Sequence, residues 1–389
     1  MTRMHLIIVS RIYDPEPSAA SYFLGAVARR AASRGHKVTV LTARPPAGTA
    51  ISDPPSVRVK RARVLRDRGG YVRGYLPYLS FDIPLAVRMI FGRRADVYLV
   101  EPPPTTGAVV RVVTALLGRP YIYDTADIWS DAAQMATGSS TVIRLLRWVE
   151  RFALRGAAEQ VTISQGVVDR VRELGIASPM TVVGFGADTA TFRYIEAAPH
   201  GNFFVYAGNQ SEWQGADIFV DAFARFSQRV TGYRLLFIGS GSERDLIERR
   251  ASELGLTEVE FRDPIAGSEL TTILSRATAS LASVKPGVGY DYAFASKIYS
   301  SMAAGCPVIF AGPGPTGPFL VEAEERQRTG IAVDYDPESV SVALQTIVDK
   351  PFTSDERLAL SEWTSHTHSM DAVADRVVEV AERAAEEPG

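Results

Sequence analysis

Residues 202–241 read NFFVYAGNQSEWQGADIFVDAFARFSQRVTGYRLLFIGSG. An apolar run, NFFVYAG (202–208), ends in a glycine turn, a helical pattern follows over about 215–228, and a second apolar run, YRLLFIGSG (233–241), ends on Gly239 and Gly241. Apolar runs without strict alternation are the pattern of parallel strands covered on both faces. Strand, helix, strand in this spacing predicts a parallel β–α–β unit.

The unit repeats in both directions. Downstream, VEFRD (259–263), ATASLASV (277–284) and PVIFAG (307–312) continue the scheme. Upstream, HLIIVS (5–10) precedes a candidate helix over about 19–34, with Leu24, Val27, Ala28 and Ala31 on one face. KVTVLT (37–42), DVYLVE (96–101), a helix near 107–117 and RPYIYD (119–124) follow. Between the two series lies FRYIEAAPHGN (192–202), whose Pro199, His200, Gly201 and Asn202 read as a linker. The expectation is α/β: two Rossmann-like, doubly wound domains facing a central cleft. A chain of 389 residues is longer than one core usually supports. The tail after about Ser354 reads as helical.

Bulk composition excludes more than it assigns. A formal net charge of -2 gives no global attraction to nucleic acid. The single cysteine, Cys306, forbids an intramolecular disulfide and fits a reducing compartment. No run approaches the roughly 20 apolar residues of a membrane span, and HLIIV is too short for a signal-peptide core. A cytoplasmic protein is expected. The five histidines are scattered, and His366 and His368 in a polar turn read as surface residues rather than metal ligands. No GxSxG elbow or Walker-type phosphate loop is present. Cys306, before Pro307 and an apolar run, reads as a packed small hydrophobe with no histidine beside it.

What recurs is glycine at strand ends. YAGNQSEWQGAD (206–217) places Gly208 and Asn209 after a strand, and Gly215 where a helix opens; IGSGSERD (238–245) repeats the device with Gly239 and Gly241. Such turns aim backbone N–H groups at the crevice beyond the strands, where an anion can sit, although each alone also closes an ordinary β–α link. In GYDYAFASKIYSSMAAGCPVIF (289–310), Ser296 fits an N-cap, and the N–H groups after it together with Lys297 suit a diphosphate. The plain alternative is a solvated lysine on a capped helix.

In the first half, YDPEPSAAS (13–21) sets Pro17, Ser18 and Ala19 at a helix start, small enough to let a ligand approach. YDTADIWSD (123–131) gathers Asp124, Asp127 and Asp131 beside Trp129. Carboxylates beside an aromatic ring suit sugar hydroxyls and C–H faces, against the alternative of capping and solvation. Asp127 is the candidate catalytic carboxylate. RVKRARVLRDRGGYVRGYLPYLSF (58–81) runs from cations into aromatics, a pattern shared by interfacial membrane contacts and solvated basic loops.

These motifs, in this order, resemble a family 4 glycosyltransferase of the GT-B fold, in particular the bacterial polysaccharide (colanic-acid and O-antigen) subgroup. The resemblance spans nearly the whole chain: IYDPEPSAASYFLGAVARRAASRGHKVTVLT (12–42), RRADVYLVEPPP (93–104), YDTADIWSD, ISQGVVDRV (163–171), GFGADTATF (184–192), and the three glycine and Ala-Ser-Lys segments.

The resemblance implies a retaining sugar transfer from a nucleotide-sugar, UDP-sugar foremost, with no cofactor and no metal. It implies an acceptor domain at 1–195, a donor domain at 196–365 and a C-terminal helix, 366–389, crossing back to the first. Gly208, Asn209, Gln214, Gly239, Ser240, Tyr292, Ser296, Lys297 and Ser300 would meet the donor; Pro17, Ser18, Ala19 and Trp129 the acceptor. Tyr292 and Ser300 stand where the family usually has glutamates, Asn209 and Gln214 where it has Arg and Lys, and Ala295 where it has Pro. Lys297, Lys285 and Arg11 are then the cations left for the diphosphate. The basic-aromatic segment points to a polyprenyl-linked saccharide acceptor at the inner face of the membrane, with peripheral contact through 58–81. A soluble natural-product acceptor, a nucleotide-sugar epimerase and an inactive nucleotide-sugar-binding protein are the alternatives.

Overall fold

The computed structural model describes residues 3–16, 18–46, 48–67, 72, 74–136, 139–196 and 200–386. Pro17 and Pro199 lie outside the described residues, as do Arg68, Tyr71 and Arg73 of the basic-aromatic segment. The chain forms two compact units, residues 1–184 with 371–389, and residues 185–370.

The first unit opens with β1 (His5–Val9), α1 (Ala19–Ser33), β2 (Lys37–Ala43) and β3 (Val57–Ala62). It continues through α2 (Tyr75–Ile90), β4 (Val97–Val100), α3 (Pro104–Leu117) and β5 (Tyr121–Thr125). Then come α4 (Trp129–Ala136), α5 (Ser140–Arg155), β6 (Glu159–Thr162), α6 (Gln165–Glu173) and β7 (Met180–Val182). The strands lie in the order β3-β2-β1-β4-β5-β6-β7, every pairing parallel. Order reverses between β1 and β4, where Ile7 stands between Thr39 and Tyr98. β1 and β4 are buried along their whole length, which is why their sequences are unbroken apolar runs.

The second unit repeats the plan. β8 (Phe203–Ala207) is followed by a single 3₁₀ turn (Glu212–Gln214), α7 (Ile218–Ser227), β9 (Arg234–Ile238), α8 (Arg244–Glu253) and β10 (Val259–Arg262). Next are α9 (Gly267–Arg276), β11 (Ala279–Ser283), α10 (Lys297–Ala303) and β12 (Val308–Ala311). α11 (Thr316–Glu324), β13 (Gly330–Val333), α12 (Pro337–Asp349) and α13 (Ser354–Thr367) complete it. The sheet order is β10-β9-β8-β11-β12-β13, again parallel throughout, with its reversal at β8 and β11. Its core is aromatic: Phe204, Tyr206, Phe219, Phe223, Phe226 and Phe237 are all essentially inaccessible. Edge-to-face contacts such as Phe204–Phe226, 5.5 Å between centroids, let these rings interdigitate. His368 is half-buried and packs on aromatics: its ring lies 4.9 Å from Trp363, 5.1 Å from Tyr299 and 5.2 Å from Phe319. Cys306 is buried, and burial pushes its thiol up to about 12, which leaves it inert at neutral pH.

The last helix, α14 (Met370–Glu386), returns to the first unit. Val373, Val377, Val380, Ala381 and Ala384 bury one face, a 3.6-residue period that the acidic Asp375, Glu379 and Glu382 complement on an adjacent face. Arg30 meets Asp375 at 2.5 Å, Arg34 meets Glu382 at 2.9 Å, and the buried His36 Nε2 meets Glu382 at 2.7 Å. Glu382→Ala strands a buried imidazole and a half-buried guanidinium together, at a cost of about 1–3 kcal/mol. Thermal denaturation followed by circular dichroism should show a lowered first transition; an unchanged melt would mean that the apolar face alone docks the helix.

Candidate functional site

In each unit the strand order reverses once, and strand ends meet at that reversal. In the first unit, Ser10 and Arg11 follow β1, Glu101 follows β4, Asp124 is the penultimate residue of β5, Asp127 comes after it and Trp129 opens α4. Ser10 Oγ lies 2.9 Å from Glu101 Oε2 and 2.6 Å from the Ile12 carbonyl. The Ser10 hydroxyl donates, and Glu101 Oε2 and the Ile12 carbonyl are its two acceptors. Burial pushes the Glu101 carboxyl up to about 7 despite the opposing charge of Arg11 and the Ser10 hydrogen bond. Asp124 is also buried and pushed well up, first by burial and then by Glu101 and Asp127. Asp127 is exposed as a residue, yet the surrounding protein still desolvates its carboxyl and raises it.

Arg11 is the cation of this group. It is held over the Tyr78 ring at 4.8 Å and the Trp129 ring at 5.4 Å, and it donates to the Val72 carbonyl. Its Nε is buried without a partner among the described residues. Trp129 is fixed from below, its backbone N–H donating to Glu150 Oε1 at 2.6 Å, and the Tyr78 and Trp129 rings meet edge to face at 6.4 Å. Ser18 caps α1, accepting from the Ser21 N–H at 3.0 Å, and Ala19 is exposed beside it. The third aspartate of the sequence cluster stands apart in role: Asp131 holds Arg170 through two contacts, 2.7 and 2.9 Å, a structural pair.

Among the described residues of the segment 58–81, two cations are paired and two aromatics are turned inward. Arg61 pairs with Asp53 at 2.6 Å and Arg66 with Glu16 at 2.8 Å. Phe81 is fully buried and Tyr78 turns inward to Arg11. Its first part is strand β3, whose edge position permits the charged residues that made it read as a loop.

In the second unit, Gly208 and Gly239 sit at the ends of β8 and β9 with φ of 130° and 138°, a region only glycine occupies readily. The two turns press together so closely that a Cβ on Gly239 would lie 2.0 Å from the Gly208 carbonyl oxygen. Beneath them Lys297 Nζ lies 3.7 Å from the centroid of the Tyr206 ring. The amine is buried without a hydrogen-bond or ion-pair partner among the described residues, and burial lowers it from 10.5 to about 7. A Cβ on Gly208 would stand 3.3 Å from it, so the missing side chain leaves the approach open. Asn209 and Ser240 are exposed on these turns. Gln210, next in line and fully buried, has both amide atoms without partners.

Other expected residues have different duties. Gln214 Oε1 accepts from the Tyr206 hydroxyl at 3.0 Å, so it braces the ring under Lys297. Ser296 occupies the N-cap position of α10 but has helical φ and ψ and makes no capping hydrogen bond, contrary to expectation. Tyr292 extends a stacked column, Trp213–Tyr290–Tyr292, with centroids 5.2 and 6.0 Å apart. Ser300 follows Lys297 by one helical turn. Glu101, Tyr206 and Gln210 escaped sequence reasoning; a carboxylate ending the apolar run VYLV was the one available signal.

Glu101 sets a pH dependence. Its folded pKa of about 7 exceeds its ordinary 4.5, so the unfolded chain releases the proton first as pH rises. The stabilisation present below 4.5 is therefore lost between about 4.5 and 7. Glu101→Gln, which mimics the neutral form, should melt at least about 2 °C higher than the parent at pH 8, the gap closing by pH 4. Equal melting curves at pH 8 would contradict the raised carboxyl.

Comparisons with known proteins follow the same division. Residues 19–186 match the family model described as "Glycosyl transferase 4-like domain" and residues 201–350 the one described as "Glycosyl transferases group 1". Over 383 residues the chain is 24% identical to the "Putative colanic acid biosynthesis glycosyl transferase WcaI" of Escherichia coli (strain K12), spanning 88% of this chain and 91% of that one. A "GDP-mannose-dependent alpha-(1-6)-phosphatidylinositol dimannoside mannosyltransferase" of Mycobacterium tuberculosis (strain ATCC 25177 / H37Ra) is 27% identical over 187 residues, 45% of each chain. Among solved structures, sucrose-phosphate synthase from Thermosynechococcus elongatus superposes with a TM-score of 0.72 at 17% identity, covering 98% of this chain and 99% of that one. WaaG, "a glycosyltransferase involved in lipopolysaccharide biosynthesis", gives 0.66 at 15%, covering 97% and 99%. These last two likenesses are of fold.

Proposed function

Since the chain belongs to the family 4 glycosyltransferases of the GT-B fold, we propose that it transfers a sugar, with retention of configuration, from a nucleotide-sugar to a lipid-linked acceptor in cell-surface polysaccharide or glycoconjugate synthesis. The donor is a nucleoside-diphosphate sugar, UDP-linked in the simplest reading, held by the second unit. The observation that carries this is the buried amine of Lys297, set over the Tyr206 ring and beside Gly208, with no hydrogen-bond or ion-pair partner among the described residues. A cation left unpaired in a low-dielectric site is costly, and a diphosphate would supply its counter-charge. Asn209, Ser240, Tyr292, Ser296 and Ser300 would border that donor.

In the first unit, Asp127, Trp129 and the Ser18–Ala19 helix start would receive the acceptor sugar, the ring of Trp129 packing on C–H faces and Asp127 accepting from a hydroxyl. As the bond from the anomeric carbon to the diphosphate oxygen breaks, the acceptor oxygen bonds to that carbon and its proton passes to the departing phosphate. Lys297 meets the charge that develops on the leaving group. The relative named for colanic acid biosynthesis supports the polysaccharide assignment.

Lys297 makes donor binding pH-dependent. Below about 7 the amine is already charged; above it, binding must draw in a proton, so affinity should fall by up to tenfold per pH unit. Calorimetry with UDP at pH 8 in two buffers of different ionisation enthalpy should show proton uptake. Lys297→Ala should abolish both the uptake and the thermal shift given by UDP. A retained shift in that variant would remove the diphosphate assignment.

A further inference from the structure

Three neighbouring helices of the first unit leave apolar side chains in water. On α2, Leu76, Leu79, Ile83, Val87 and Ile90 are exposed, from 43% to 69%, and Phe91 beyond the helix end is 83% exposed. Their spacing of three, four, four and three residues is a single helical stripe, and it points away from the face that buries Phe81, Leu85 and Met89. α3 packs between α2 and α5 and exposes Val112 and Leu116, one turn apart. α5 exposes Leu145 and Trp148, whose ring stacks on Phe152 at 5.9 Å. Singly, such residues mean little; three adjoining stripes on one face of one domain mark a contact surface.

The charges on this surface have one sign. The three helices contain only two acidic residues, Asp82 and Glu150, each 2% exposed. Asp82 accepts from Thr106 Oγ1 at 2.6 Å, and Glu150 is spent on the start of α4. The exposed polar side chains include Arg93 and Arg94 just after Phe91, and Arg144 and Arg155 on α5. No helix among the described residues is long and apolar enough to cross a membrane. Apolar stripes lying flat, an exposed tryptophan and unopposed arginines match the boundary between lipid acyl chains and anionic headgroups. A protein partner would usually meet both signs of charge at the rim of such a patch.

We propose that the outer face of α2, α3 and α5 docks on the surface of an anionic lipid bilayer. This rests on the exposure pattern and deepens the lipid-linked acceptor reading; it extends the membrane contact from the end of 58–81, where Leu76 and Leu79 lie, along α2 and onto α3 and α5. The stripe inserts to the level of the acyl chains, and the arginines sit among the headgroup phosphates.

The test is flotation of the full chain with phosphatidylglycerol-containing and with pure phosphatidylcholine vesicles, without donor or acceptor, so that its failure is separable from failure of the transferase reading. The chain should float with the anionic vesicles, and raised salt should release it. Ile83→Glu with Phe91→Glu should abolish flotation, and Arg144→Ala should weaken it about fivefold, as expected for one cation near an anionic surface. Both positions are exposed, so circular dichroism and UDP thermal shift should match the parent. No flotation, equal flotation with both vesicle types, or sedimentation showing a dimer that the double variant dissolves would each overturn the proposal.

Discussion

Parallel strands cannot turn directly back on one another, so neighbouring strands are joined by crossovers, most of them helical; β2 and β3 are joined by the segment 44–56. That constraint shapes the rest. It buries β1 and β4 on both faces, directs every strand the same way, and gathers the strand ends at the two order reversals. The polar residues that follow those strands are thereby brought together without any adjacency in sequence: Ser10, Glu101 and Asp127 in one unit, Gly208, Gly239 and Lys297 in the other. In open sheets of this kind the crevice at the reversal is where ligands bind.

Both gatherings hold charge under unfavourable conditions. Glu101 and Asp124 are carboxyls pushed toward neutrality by burial, and Lys297 is an amine pushed the same way. A fold optimised for stability alone would replace such groups, because desolvation of an unpaired charge costs more than apolar packing at the same position. Their cost is offset elsewhere, by the aromatic core of the second unit and by the apolar docking of α14 in the first. Groups of this sort are poised for a ligand that changes their protonation or supplies the missing counter-charge.

The central strands were legible because burial on both faces leaves a plain record: HLIIV, VYLV, FFVYA and VIFA are unbroken apolar runs. The edge was not. VRVKRA forms β3 with alternating polar side chains, and its charges hid the strand inside a basic stretch; the polar EQVT of β6 was passed over likewise. At the site, glycines at strand ends were readable because positive φ demands a particular residue type. The partnership of a side chain is not readable that way. That Asp131 is consumed by Arg170, Gln214 by Tyr206 and Glu150 by the start of α4 depends on packing between distant segments. The lack of a hydrogen-bond or ion-pair partner for Lys297 among the described residues is likewise a property of the folded surroundings.

The return of α14 makes the first unit discontinuous: residues 185–370 are inserted between its body and its last helix. During synthesis the surface around Arg30, Arg34 and His36 must therefore wait for its partner while the whole second unit is translated. At roughly 5–20 residues per second that delay lasts on the order of ten to forty seconds, long beside the folding time of an ordinary domain. The first unit thus spends its early life unsealed, its apolar seat for Val377 and Val380 open to solvent. Completion of the second unit is what delivers the closing piece, so the nascent chain matures in an order opposite to its numbering.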